Sequence, residues 1–168
     1  MSASASRRRL LAGAAALPAA WLLAGCASLS QERPPGRHWN GRLAMQVRGD
    51  APQSFSAAFS LLGSPDRGEL TLFTPIGTTA AVLSWSPGAA LLRAEGQPPQ
   101  QAVSVDALVE RATGAPLPVA ALFDWLDGRA TAVAGWLADI SQLAQGRLTA
   151  SRLDPPPTME LRVVLEQP

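Results

Sequence analysis

Asp124 and Asp127 stand three residues apart in LPVAALFDWLDG, and on a helix that spacing puts both carboxylates on one face. Paired carboxylates are the machinery of general acid–base hydrolysis. The competing reading is a solvated face opposite Leu122 and Trp125, and nothing beside the pair argues for catalysis. A hydrolytic triad needs a base beside its nucleophile, yet His38 is the sole histidine and precedes the first periodic segment, where it reads as a solvated residue. No serine stands in a GxSxG elbow, and the glycines fall singly at turns rather than in a phosphate-cradling loop. One histidine and one cysteine, Cys26, are too few for a zinc centre. An enzyme, a metal and a cofactor are therefore not expected. What remains is apolar chemistry. In LTLFTPIGTTAAVLSW the turn places Ile76 between Pro75 and Gly77, a position where small or polar residues are usual. Leaving an isoleucine in water forgoes roughly 1.5–3 kcal/mol of burial, so a tip residue of this kind asks for something apolar to meet it. A type II turn would demand positive φ at Ile76, which a β-branched residue resists, so a type I turn is expected.

The elements that must carry these residues are legible from their periods. From Trp39, Leu43, Met45 and Val47 alternate with polar or small neighbours, as a half-buried strand does. Phe55, Ala57, Phe59 and Leu61 repeat the pattern, followed by strands at Glu69–Thr74, Thr79–Trp85 and Ala89–Ala94, each set off by a turn. Five antiparallel strands in succession predict a meander. Ser104 then caps SVDALVERATG, which Gly114 ends, and Pro118 opens PVAALFDWLDG in a first helical turn, with Gly128 as its stop. Gly146–Leu153 and the alternation Met159, Leu161, Val163, Leu165 return to strand, while AVAGWLADISQLAQ fits strand or helix. The fold class is α+β: one domain with a curled antiparallel sheet and short helices packed on one side. Its aromatic and aliphatic residues read first as an ordinary core. Pairing of large groups with alanine and serine in FSAAFS and TTAAVLSW leaves room, alternatively, for a ligand.

The N-terminus places the domain in the cell. Arg7, Arg8 and Arg9 precede an apolar run from Leu10 to Ala24, broken by Pro18 and shorter than the roughly 20 residues of a membrane span. Residues 1–25 read as an export signal. Leu23, Ala24, Gly25 and Cys26 resemble the bacterial lipobox, whose cysteine is acylated and becomes the first mature residue. The chain then lacks any internal disulfide. Residues 26–38 are a polar, proline-broken tether, and residues 39–168 are the domain. With the three signal arginines removed from 14 basic residues, 11 remain against 13 acidic groups, a net charge of −2. No basic patch for nucleic acid is supported.

The lipobox followed by WNGRLAMQVR, FSAAFSLLG, GELTLFTPIGTTAAVLSW, SVDALVERATG, LPVAALFDWLDG, GRLTASR and MELRVVLEQP resembles, in this order, the LolB family of outer-membrane lipoprotein receptors. The resemblance implies an unclosed antiparallel barrel with helices covering its opening and an apolar cavity. It implies a monomeric receptor, lipid-anchored at Cys26 on the periplasmic face of the outer membrane, where Ala27 in place of aspartate directs it. Its partners would be the periplasmic carrier LolA, the acyl chains of cargo lipoproteins and outer-membrane lipid. Cargo accepted from the carrier would be inserted into the inner leaflet, with no cofactor. The family's protruding apolar turn residue, normally leucine after proline, corresponds to Ile76, so Pro75, Ile76 and Gly77 would form the membrane-delivery loop. The acyl-chain cavity would be lined by Leu43, Met45, Phe55, Phe59, Leu70, Leu72, Leu83 and Trp85, with Trp125 from the covering helix. The alternative function is a structural or assembly lipoprotein docking an outer-membrane complex, which calls for a filled core and an exposed binding patch.

Overall fold

Alternating apolar and polar side chains make strands at both ends of the domain, and in the computed structural model these two ends pair with each other. The structure describes residues 36–50 and 52–166, all within one compact unit. The strands are β1 (Arg37–Arg48), β2 (Gln53–Gly63), β3 (Gly68–Phe73), β4 (Thr79–Ser86), β5 (Ala89–Ala94) and β6 (Gln100–Ala102). After helices α1 (Val105–Thr113) and α2 (Val119–Leu126) come β7 (Trp136–Asp139), a 3₁₀ turn at Leu143–Gln145, β8 (Arg147–Arg152) and β9 (Thr158–Leu165). They form one antiparallel sheet in the order β6-β5-β4-β3-β2-β1-β9-β8-β7. The edges β6 and β7 do not pair, so the sheet is an unclosed barrel. No described helix is long and apolar enough to cross a membrane.

Register decides which side chains face inward. Met45 lies opposite Phe55 on one side and Leu161 on the other, and Leu70 lies between Leu61 and Leu83. Since side chains alternate between faces, these pairings align one continuous apolar surface across β9, β1, β2, β3 and β4. Both helices supply apolar side chains opposite that surface. Ser104 Oγ accepts from Ala107 N–H at 3.2 Å to start α1, and Gly114, at φ 74°, ends it. Asp106 Oδ1 accepts from Val119 N–H at 3.1 Å, tying the first turn of α1 to the start of α2. Pro118 stands one place earlier than expected, as the extended N-cap of α2 rather than inside its first turn.

Three further differences from the sequence reading have local causes. β1 begins at Arg37, inside the segment assigned to the tether, because Arg37 and His38 pair with Gly63 and Leu62 of β2. His38 remains exposed, as expected of a solvated residue, with Nε2 2.9 Å from Ser60 Oγ. β6 is only three residues long and polar at Gln100 and Gln101, too short to display a period; it exists because β5 offers it an edge. The ambiguous segment resolves into β7 and the 3₁₀ turn, with β7 held along β8 from Trp136↔Arg152 to Asp139↔Thr149.

The closed end of the barrel turns on one close approach. The Trp85 indole N–H is shared between the carbonyls of Ser64, at 3.1 Å, and Pro65, at 3.0 Å, which folds the β2–β3 turn under the ring. Gly68 lies against that ring: a Cβ there would stand 2.4 Å from Trp85 Cζ2 and 2.7 Å from the Leu62 carbonyl oxygen. Gly68→Ala is therefore expected to destabilise the fold by about 1–3 kcal/mol, the cost of overpacking a filled site. Urea denaturation checks this, with a lowered midpoint and an unchanged slope as the expected result.

Candidate functional site

A cavity of about 470 Å³ lies between the concave face of the sheet and the two helices. Eight residues singled out from the sequence line it: Leu43 and Met45 from β1, Phe55 and Phe59 from β2, Leu70 and Leu72 from β3, and Leu83 and Trp85 from β4. Strand alternation brings them onto one surface by the register given above.

Trp125 is not among them, which corrects the sequence reading. Helix α2 is apolar nearly all round, with Val119, Ala121, Phe123, Trp125 and Leu126 all buried, so its composition does not reveal which stripe faces the hollow. The stripe that does is Val119, Leu122, Phe123 and Leu126, at the i, i+3, i+4, i+7 spacing. Trp125 lies outside that stripe. Its indole N–H donates to the Thr131 carbonyl at 2.9 Å and its ring sits 6.0 Å from that of Trp136. Phe123 instead forms the floor, edge-on to Trp39 at 5.5 Å and to Trp85 at 6.1 Å.

Other wall residues escaped the sequence reading. Leu161 and Val163 of β9 join because β9 pairs with β1, placing them opposite Met45 and Leu43. The alternation in MELRVVL carried that signal, but the long-range partner did not. Leu108 and Val109 come from α1.

The cavity has a closed end and an open one. Leu61, Trp85 and Phe123 are buried, whereas Gln53, Ser54 and Phe55, on the same wall, are exposed. Antiparallel pairing puts the β1–β2, β3–β4 and β5–β6 turns at this open end. The β3–β4 turn holds Pro75, Ile76 and Gly77. Thr74 N–H donates to the Thr78 carbonyl at 2.8 Å, and Gly77 N–H donates to the Thr74 carbonyl at 2.9 Å. The Thr74 and Thr78 hydroxyls meet at 2.8 Å, closing the loop from the side. Gly77 carries the positive φ of 84° in the glycine position of a three-residue hairpin loop, and since a Cβ there would meet nothing within 4 Å, it is the backbone conformation that calls for glycine. Ile76 is left 85% exposed, so its side chain projects rather than folding back over the strands. The open end is thus an apolar hollow beside a braced apolar tip.

The Asp124–Asp127 pair is tied up in ion pairs rather than facing a cleft. Asp124 Oδ1 accepts from Arg129 Nε at 3.0 Å and from Nη2, while Oδ2 accepts from the Thr131 hydroxyl at 2.7 Å. Asp127 Oδ2 lies 3.0 Å from Arg129 Nη1, and Oδ1 lies 2.7 Å from Arg37 Nη1, an ion pair without hydrogen-bond alignment. The cluster fastens the end of α2 to the loop after it and to the start of β1. The Thr131 hydroxyl, then Arg129, hold the Asp124 carboxyl below its ordinary value of 3.8. A general acid needs the opposite shift. A lowered folded value stabilises the fold above pH 3.8, and that contribution is lost as pH falls through the folded value. Asp124→Asn is therefore expected to lower Tm at neutral pH, with the gap to the parent closing below about pH 3.8, as thermal melts across a pH series would read.

Cys26 and the export signal lie outside the described residues. Among the described residues no group of His, Cys, Asp or Glu is arranged to hold a metal ion.

Residues 37–154 match the family model described as outer membrane lipoprotein LolB. A protein of Cupriavidus pinatubonensis named outer-membrane lipoprotein LolB is 37% identical over 121 residues, covering 67% of this chain and 58% of its own length. One of the same name from Cupriavidus taiwanensis is 37% identical over 135 residues, covering 76% and 66%. Another, from Bordetella petrii, is 31% identical over 176 residues and covers 88% of each. The chain thus spans 58% and 66% of the first two of these relatives. The matched span takes in the meander, the braced tip, both helices and β8, and the chain belongs to the LolB family of outer-membrane lipoproteins.

Proposed function

We propose that this chain is anchored to the outer membrane through an acylated Cys26, accepts lipoproteins from the periplasmic carrier LolA and inserts them into the inner leaflet. The observation that carries the proposal is the open apolar cavity of about 470 Å³, which falls within the usual range for ligand sites of about 300–1,000 Å³. Each acyl methylene moved from water into such a hollow contributes about 0.8 kcal/mol, so chains are held without any charged or covalent step. Transfer needs no nucleotide if each station binds the chains more tightly than the last. A hollow open at one end fits the middle station, holding the chains while leaving them a way out to lipid. The exposed Ile76 at that same end supports a tip that enters the bilayer first. A lipoprotein that only docks an assembly machine gains nothing from an unfilled apolar interior, since empty hollows forfeit packing contacts.

The test is transfer in vitro from carrier loaded with a triacylated lipoprotein to the full chain carrying Cys26→Ala, followed by addition of liposomes. Cargo is expected to leave the carrier for this chain and then appear in the liposomes. Cargo that stays on the carrier would overturn the proposal.

A further inference from the structure

The chain enters the domain at the end away from the mouth. Arg37, the first residue of β1, pairs with Gly63 at the end of β2, and Gly63 pairs with Gly68 at the start of β3. The tether therefore joins the sheet at the closed end, where the β2–β3 turn folds under Trp85. That junction is fixed by several contacts. A Cβ on Gly36 would stand 2.2 Å from the Gly63 carbonyl oxygen, Arg37 Nη1 lies 2.7 Å from Asp127 Oδ1, and His38 Nε2 lies 2.9 Å from Ser60 Oγ. Ile76 and the mouth are at the other end. From Gly68 to Phe73 is five strand steps and the turn adds about two more to Ile76, roughly 23 Å at about 3.3 Å per residue. A strand tilt of about 40° shortens that to about 18 Å of height. Around the β1–β2 and β5–β6 turns exposed Arg48 and Arg93 offset exposed Asp50 and Glu95, so charge there does not choose an orientation.

Resting on the receptor reading above, we propose that the domain works end-on against the same leaflet that holds its anchor, and that tether length sets whether it can. The lipid surface is met by the end opposite the attachment point, so the tether must span the height of the domain while Ile76 and the mouth touch the membrane. From Cys26 to Arg37 the chain has eleven steps, a reach of at most about 36–40 Å. That exceeds the height of the domain, so anchor and tip can occupy one bilayer together. A tether of four steps reaches only about 13–14 Å and holds the closed end at the membrane with the mouth out of reach. Shortening the tether therefore separates holding cargo from releasing it, although no residue of the hollow or of the tip has changed.

The experiment uses the acylated chain reconstituted in immobilised vesicles, so that each molecule meets only its own membrane. Carrier loaded with a lipoprotein bearing a fluorescent acyl chain is added, and a quencher embedded in the bilayer reads insertion. Deletion of residues 29–35 leaves four steps between Cys26 and Arg37 and is expected to lower insertion about tenfold or more, because a linker that cannot span its two sites gives almost no effective concentration. Replacing the same residues with seven glycines and serines keeps the length and is expected to keep parental insertion. In the Cys26→Ala background, where no anchor restrains the domain, the deletion is expected to deliver as its unshortened parent does. Undiminished insertion by the anchored deletion, or an equal loss in the anchored and unanchored forms, would overturn the end-on arrangement and leave the receptor reading standing. Failure of both unshortened forms to take cargo from the carrier would remove the receptor reading itself and this proposal with it.

Discussion

Ile76→Glu is expected to leave uptake of cargo from the carrier unchanged while delivery to liposomes falls by roughly 10- to 150-fold. The range follows from the burial an isoleucine gains on entering hydrocarbon, about 1.5–3 kcal/mol, all of which a carboxylate forfeits. Uptake is spared because Ile76 does not line the cavity and its side chain is 85% exposed. The fold is spared because the turn is held by backbone and threonine hydrogen bonds, from Thr74 N–H to the Thr78 carbonyl and between the two hydroxyls. Ile76→Leu preserves apolar area and is expected to deliver at near the parental rate. A two-stage assay separates the effects: cargo bound after mixing with loaded carrier, then cargo recovered in vesicles. Undiminished delivery by the glutamate variant would refute the role given to the tip.

The second large effect is on stability and falls on Trp125. Its side chain is 1% exposed, its indole N–H donates to the Thr131 carbonyl and its ring lies against Trp136. Trp125→Ala is expected to cost about 3–5 kcal/mol, through lost burial and the cavity left behind. The unsatisfied Thr131 carbonyl adds to that loss where water does not reach it. For a domain of this size that is a large part of the usual 5–15 kcal/mol of total stability. The gentler Trp125→Phe retains most of the packing and is expected to bind acyl probes as the parent does, because Trp125 is not part of the cavity wall. Leu122→Trp gives the contrast, since it projects bulk from the facing stripe into the hollow and is expected to weaken probe binding. Weakened binding by a fully folded Trp125→Phe variant would return Trp125 to the site and contradict the assignment of faces on α2.

The meander was legible residue by residue because each of its strands is half-buried, and half-burial writes a period of two into the chain. Leu43, Met45, Phe55, Phe59, Leu70, Leu72, Leu83 and Trp85 share one wall for that reason. Capping chemistry is equally local, which is why Ser104 and Gly114 were visible as the limits of α1. The exposed tip was visible too, since an isoleucine between proline and glycine contradicts ordinary turn composition. β6, β7 and the orientation of α2 were not legible. β6 and β7 are three and four residues long, below the length at which alternation is a signal, and they persist through pairing with β5 and β8. Helix α2 is apolar nearly all round, with Asp124 its one charged residue, so only its packing could choose between the stripe of Leu122 and Phe123 and the side bearing Trp125.

By itself, then, the sequence determined which strands are amphipathic, where helix α1 starts and stops, and that a hydrophobic side chain must stand in a turn. These are properties of a few neighbouring residues, set by backbone sterics and the repeat of a strand or helix. Tertiary structure alone decided that β9 returns to β1, that β6 and β7 are the strands bounding the opening of the sheet, and that the hollow opens beside Ile76. It also decided that the rim of that hollow is lined by glutamines and a serine drawn from opposite ends of the meander. Those facts depend on contacts between residues far apart in the chain, whose energies exist only once the sheet has curled and brought them together.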